Sequence, residues 1–243
     1  VDYLRALQEY LTPHGRILLA MDNRLGLKFF CGARDSYSGE PFGGLSAAPS
    51  EGHIFTQAEI RAVLKAADYP YVRFYYPLPD YRLPQLIFSD AHLPDANVGD
   101  GLIPYDPTSD TRVLSETYLY RYIVTNGLFP QMANSFLVEC AQQPREQPGA
   151  DFISLAADRE PACNIATCVK GREAVTKRPL VAAGEKGLRR LAENMTELKA
   201  RGLNVVPLEI KNGVAQMPFC EFPVLSDWLK EREKSEQARV RAV

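Results

Sequence analysis

Four polar residues follow directly on an apolar run within the first thirty positions. Ile17 to Met21 read as a buried strand, Asp22, Asn23 and Arg24 close it, and Lys28 lies one turn further on. A carboxylate, a carboxamide and two cations at the carboxyl end of a strand stand where open α/β sheets place their ligands. They suit contact with a cofactor or an acceptor molecule, and the same residue types also satisfy loop backbone groups. A second polar group follows Tyr71-Val-Arg-Phe-Tyr-Tyr76, where the turn Pro77-Leu-Pro-Asp80-Tyr81-Arg carries a carboxylate and a phenol. Tyr76 and Tyr81 offer either stacking surfaces or half-buried sheet positions. Asp80 either meets a substrate or bonds its own turn backbone.

Other chemistries find less support. His14, His53 and His92 fall in turns and loops, with no sequence partner arranged as a base or ligand. The five cysteines (31, 140, 163, 168 and 220) are scattered, and the Cys163–Cys168 pair lacks a second pair or a nearby histidine, so no zinc site is expected. Gly44-Leu-Ser46-Ala-Ala48 lacks the last glycine of a nucleophile elbow and follows no strand. A net charge of −2 gives no reason to expect nucleic acid or an anionic membrane as partner. No signal peptide or membrane-length apolar run is visible, and a reduced, cytoplasmic protein is the default.

Elements that position these residues can be read from pattern. Tyr3, Leu4, Leu7, Tyr10 and Leu11 make a short amphipathic helix over 2–11 that leads through Pro13-His-Gly15 into the first strand. Residues 32–52 are rich in Gly, Ser and Pro and read as a loop over the strand ends. Thr56-Gln-Ala-Glu59 is a capping box, opening a helix with Ile60, Val63, Leu64 and Ala67 on one face. Strands at 71–76 and 83–89 then form a hairpin. Residues 91–112 read as a loop, 113–124 as a helix, and 135–139 as a strand packed on the hairpin, before a polar boundary at 142–149.

The run Leu11-Thr-Pro-His-Gly15-Arg-Ile-Leu-Leu-Ala-Met-Asp22-Asn-Arg-Leu-Gly26-Leu-Lys28-Phe-Phe resembles the second half of a class I S-adenosylmethionine-dependent methyltransferase, at the turn before its fifth strand. More closely it is similar to methyltransferase-type modules of large bacterial multidomain proteins, often associated with glycosyltransferases. The Tyr-Tyr-Pro-Leu-Pro-Asp80-Tyr-Arg-Leu-Pro turn and Asn126-Gly-Leu-Phe-Pro-Gln-Met-Ala-Asn-Ser-Phe-Leu resemble motifs of the same modules. The resemblance implies a partial Rossmann-like α/β sheet over 1–90 with an extension over 91–143. In it the 16–22 strand lies beside the 71–77/83–89 hairpin, with helices 2–11 and 56–67 packed against it. It also implies S-adenosylmethionine as cofactor of a parent protein, with Asp22, Asn23, Arg24, Lys28, Tyr76, Asp80 and Tyr81 near substrate or cofactor. A glycine-rich turn and a ribose-binding acid are missing: Gly99-Asp-Gly101 and Gly43-Gly44 both lack a leading strand. The expectation is therefore a fragment without its upstream, cofactor-binding half, with no cofactor bound to this chain and no activity of its own.

From Asp151 the pattern changes. Strands at 152–155, 165–169 and 174–181 precede a helix at 184–201, closed by Gly202, and a hairpin at 205–219 with an Asn212-Gly213 tip. A charged segment follows from Val224. Three strands, a helix and two strands resemble the α+β small lobe of a protein-kinase-like domain, assigned to 150–243. On that resemblance Lys177 matches a phosphate-pairing lysine and 217–223 a hinge, while no glycine loop stands between the first two strands. With no glycine loop beside it, Lys177 reads first as a plain strand lysine. Two functions stay open: an enzymatic parent, a methyltransferase acting on sugar or surface glycan, or a non-catalytic scaffold or nucleotide-binding module. Self-association is expected: in a truncated sheet the 16–22 strand exposes one edge, which would pair with a second copy or be covered by residues 91–140.

Overall fold

Polar caps and tight turns set the local elements before any long-range packing. The computed structural model describes residues 1–46, 53–105, 110–145, 149–156, 159–222, 228–229 and 231–234. Helix α1 (Asp2–Ala6) runs on into a 3-10 turn (Leu7–Tyr10), and strand β1 (Ile17–Asp22) follows. Two short helices, α2 (Leu27–Phe30) and α3 (Gly43–Ser46), precede α4 (Gln57–Ala66). Both bonds of the α4 capping box are present: Glu59 N–H donates to Thr56 Oγ1 at 3.2 Å, and Thr56 N–H to Glu59 Oε2 at 2.7 Å. Strands β2 (Tyr71–Leu78) and β3 (Leu86–Ser89), helices α5 (Glu116–Thr125) and α6 (Phe129–Met132), and strand β4 (Ser135–Ala141) complete the first region. The second holds β5 (Phe152–Leu155), β6 (Ile165–Lys170), β7 (Ala174–Pro179), α7 (Gly184–Ala200), β8 (Glu209–Lys211) and β9 (Val214–Pro218).

The protein mixes helix and strand around one open sheet, ordered β1-β4-β2-β3-β5-β6-β7-β9-β8, in which every paired neighbour runs antiparallel. Two pairs, Leu86–Ser154 and Ile87–Ile153, join the two regions. The sequence reading set β1 directly against the 71–89 hairpin; instead β4 lies between them, paired with β1 from Ile17–Cys140 to Asp22–Ser135 and with β2 from Tyr71–Ala141 to Tyr75–Leu137. The physical reason is burial. All of β4 except Leu137 is buried, which suits a central strand, whereas β1 leaves Leu18 60% exposed and Ala20 exposed.

Because β1 and β2 both run against β4, they are parallel to each other, linked through α4, with their carboxyl ends at the same end of the sheet. Alternate residues of β2 (Phe74, Tyr76, Leu78) and β4 (Phe136, Val138, Cys140) enter one core with Ile60 and Leu64 of α4, Tyr120 and Ile123 of α5, and Phe129 of α6. Among the described residues no helix is long and apolar enough to cross a membrane.

Candidate functional site

The polar residues that end β1 and β2 converge. Asp22 is the last residue of β1, Lys28 lies in α2 six residues on, and Asp80 follows β2 by two residues. Lys28 Nζ donates to Asp22 Oδ1 at 2.6 Å and to Asp80 Oδ2 at 2.7 Å. Its ammonium also stands 4.0 Å from the centre of the Tyr105 ring. The Lys28 side chain is 1% exposed, and both carboxylates are 4% exposed. Arg82 closes the cluster from the solvent side, with Nη2 3.2 Å from Asp22 Oδ2 and Nη1 3.2 Å from Asp80 Oδ1. Ser36 Oγ donates to Asp22 Oδ2 at 2.8 Å. Two anions and two cations cancel, which allows the group to lie in a site of low polarizability.

Behind the cluster Asn134 ties three segments together. Its Oδ1 accepts the Lys28 N–H at 2.7 Å, and its Nδ2 donates to Glu116 Oε2 at 2.6 Å and Pro79 O at 2.9 Å. Glu116 also accepts the Tyr105 N–H at 3.2 Å. Gly26 lets these segments approach: a Cβ there would stand 2.9 Å from the carbonyl oxygens of both Asn23 and Asn134.

Charge states follow from these contacts. Burial works to raise the Asp22 carboxyl, but Lys28 and the hydrogen bonds from Lys28, Arg82 and Ser36 outweigh it and hold Asp22 below the ordinary carboxylate value. Burial raises Glu116, only partly offset by the bonds from Asn134 and Tyr105. The Cys31 thiol, which lines a small void together with Glu116, is pushed up to about 12, first by burial and then by that carboxylate.

Of the seven residues singled out in the first region, the structure brings Asp22, Lys28 and Asp80 into direct contact. Tyr81 borders them, its ring 4.5 Å from the Arg82 guanidinium and its N–H bonded to Ser135 Oγ at 2.9 Å. Asn23, Arg24 and Tyr76 bond elsewhere. Asn23 Nδ2 donates to the carbonyls of Gln131 and Ala133, both at 2.7 Å, anchoring the chain ahead of β4. Arg24 Nε donates to Gly44 O at 2.8 Å. The Tyr76 hydroxyl lies in the core end, donating to Asp90 and accepting from Gln57 at 3.0 Å. Arg82, Ser36, Glu116 and Asn134 were missed by sequence reasoning. Arg82 and Asn134 stand inside quoted motifs, but nothing local says which way their side chains point.

Lys177 lies far along the sheet, its Nζ donating to Thr167 Oγ1 at 2.9 Å. Burial, and then Arg159, lower it from the usual lysine value. The hinge-like residues Phe219 to Phe222 line an open cavity of about 630 Å³ with His92, Asp151 and Arg172, and Lys177 is not among its walls. Pro223 and most of the charged segment beyond it fall outside the described residues.

Two tests of cofactor fit turn on these contacts. Both strand-end carboxylates are committed to Lys28 and Arg82, so neither is open to receive ribose hydroxyls. The turn after β1 carries Asn23, Arg24 and Leu25 before its first glycine, so side chains block close backbone approach to a ligand. The residues present do not fit S-adenosylmethionine at this strand end. Among the described residues no group of three His, Cys, Asp or Glu side chains is placed to hold a metal. No family model, no curated protein and no solved structure matches this chain.

Proposed function

We propose that this chain is the acceptor-side half of a methyltransferase-type module, in which Asp22, Lys28, Asp80 and Arg82 form a rigid, charge-balanced wall beside the acceptor. One observation carries the reading: two parallel strands joined through a helix end at the same end of the sheet and put their polar residues there together. Crevices outside strand carboxyl ends are the general ligand position of α/β sheets. Arg82 and Tyr81 form the solvent side of that wall, and the 43% exposed Arg82 side chain is held in a fixed direction by both carboxylates. A group so held would orient a polar acceptor without reorganising. On this reading the cofactor and the transfer step belong to a part of the module outside these residues.

A scaffold role is favoured by a different observation. Each charge of the cluster has a partner, and the void that touches it, between Lys28, Arg112 and Glu116, holds only about 10 Å³, room for one water.

Titration calorimetry separates the two. S-adenosylhomocysteine should give no binding heat with this chain and micromolar binding with a chain extended upstream through its own coding sequence. Arg82→Ala in the extended chain should leave that binding intact and weaken acceptor turnover. An extended chain that binds nothing favours the scaffold, and micromolar binding by the present chain overturns the division of roles.

A further inference from the structure

Residues 34–41 fold back on themselves as a small hairpin beside the charged cluster. Their own bonds hold them as a unit: Arg34 bridges Pro41, Asp35 N–H donates to Glu40 O at 3.0 Å, and Gly39 N–H donates to Asp35 O at 2.9 Å. Asp35 Oδ1 accepts from the N–H groups of Tyr37 and Ser38 and from Ser38 Oγ. Few side-chain bonds reach outward. Ser36 Oγ donates to Asp22 Oδ2 at 2.8 Å, and the exposed Arg34 stands 3.4 Å from the exposed Asp110. The chain is anchored on both sides of the hairpin, where Ala33 N–H donates to Lys28 O at 2.9 Å and Gly44 O accepts from Arg24.

This position is costly at two points. Asp35 is 5% exposed, and among the described residues nothing meets its Oδ2. That oxygen lies beside Gly44 and Ile54: a Cβ on Gly44 would stand 2.9 Å from it and 2.7 Å from Ile54 Cδ1. A carboxylate oxygen cut off from both water and donors opposes the state that buries it. Phe42, at the end of the hairpin, holds a φ of +61°. The other described non-glycine residues at positive φ, Asp68 and Asn212, have short polar side chains that tolerate it, and a phenylalanine does not. Strain of this kind collects at switch regions.

We infer that residues 34–41 are a flap that swings about Phe42 between this closed position and an open one. Opening gives up the Ser36–Asp22 bond and gains water on Asp35 Oδ2 and a relaxed Phe42 backbone. The bonds inside the hairpin are kept, so the flap moves whole. Opening bares Asp22 Oδ2, still held by Arg82, to an arriving polar group, and closing returns the Ser36 hydroxyl to it. The flap thereby gates the strand end. That gate rests on the acceptor-side reading above, whereas the motion stands on the strain and on the few outward bonds alone.

Relaxation-dispersion NMR on the intact chain, with no ligand added, reads the motion. The amides of Ser36, Tyr37 and Gly43 should share one exchange process between microseconds and milliseconds, the range of lid opening. The amides of Asp35 and Gly39 should stay protected in hydrogen exchange. Ser36→Ala removes the latch and should raise the open population about twofold to tenfold. Phe42→Asn suits a positive φ and should lower the open population by more than about threefold. Both side chains are exposed, so both variants should fold. No exchange over residues 34–43 in either wild type or Ser36→Ala overturns the flap. A rise of the open population in Phe42→Asn overturns it too, as does loss of protection at Asp35 and Gly39, which means melting and not swinging. If the flap moves as expected and Arg82→Ala leaves turnover of the extended chain unchanged, the acceptor reading falls and the gate with it, while the motion stands.

Discussion

The two regions of the sheet handle charge in opposite ways. Residues 1–141 bury Asp22, Lys28, Asp80 and Glu116 almost completely, while among the described residues beyond 150 no charged side chain is buried. The difference follows from depth. The first region stacks α4, α5 and α6 on one face of its strands around Phe74, Tyr76, Phe129 and Phe136, and has apolar surface enough to offset desolvation. Strands β5–β9 carry one long helix, and their buried side chains are few: Ala166, Val169, Leu188 and Ala215. Of the apolar side chains of α7, Leu188 is buried, while Leu198 is 38% exposed. A deep layer can hold a fixed ionic group; a thin one keeps its ions in water, where pairs such as Arg189–Glu185 contribute little.

Removing a buried cation is the most severe test of that contrast. Lys28→Ala leaves Asp22 and Asp80 facing each other with Arg82 alone to balance them. The expected loss is about 3–5 kcal/mol in denaturant unfolding, the range for an uncompensated buried charge. Substitution of a surface cation in the second region, such as Arg189→Ala, should cost under about 0.5 kcal/mol. Equal losses at the two sites would break the comparison.

A smaller effect should appear in pH dependence. Asp22 titrates below its ordinary value in the folded state, so its contribution is complete above about 3.8 and is lost as pH falls through the lowered folded value. Glu116 runs the other way. Its folded value is raised above 4.5, the native state holds the proton more tightly than the unfolded chain, and stability drops as pH rises from 4.5 through the folded value. Glu116→Gln removes that drop and keeps an oxygen for Asn134. The variant should be about 1 kcal/mol less stable than wild type near pH 4, by one weakened hydrogen bond, with the gap closing toward pH 7. A gap that widens with pH would show Glu116 to be stabilised as the anion.

What the sequence revealed divides along the same physical line. Features set by neighbours in the chain were legible: the Thr56–Glu59 capping box, the Asn212-Gly213 tip with both residues at positive φ, and Gly202 at φ +82 behind α7. Asp22, Lys28 and Asp80 were legible as polar residues in two separate groups, each ending or following a strand, but their meeting was not. The slot taken by β4 was not, because its sequence calls only for burial on both faces, and either side of the hairpin supplies that. Asn134 and Glu116 were invisible for a related reason. Their partners include groups as far as 106 positions away, and no local pattern encodes such a distance.

The smallest expected effect sharpens the comparison from the second region. Lys177 stands on β7 with its ammonium bonded to Thr167 and its ordinary lysine value of 10.5 lowered by burial and then by Arg159. A lysine with a lowered folded value opposes folding while it is charged, and that opposition fades as pH rises toward 10.5. Lys177→Met removes this unfavourable term and also the bond to Thr167, worth about 0.5–1.5 kcal/mol. The two act in opposite directions at pH 7, which keeps the net change small, and wild type should gain on the variant as pH rises toward 10.5. Thermal shift with ATP supplies the independent readout, and it should be null for both proteins. An ATP-induced rise in melting temperature that disappears in Lys177→Met would show that this half-buried lysine serves a phosphate. The thin region would then hold a working charge of its own, and the division between a charged deep layer and an uncharged thin one would fail.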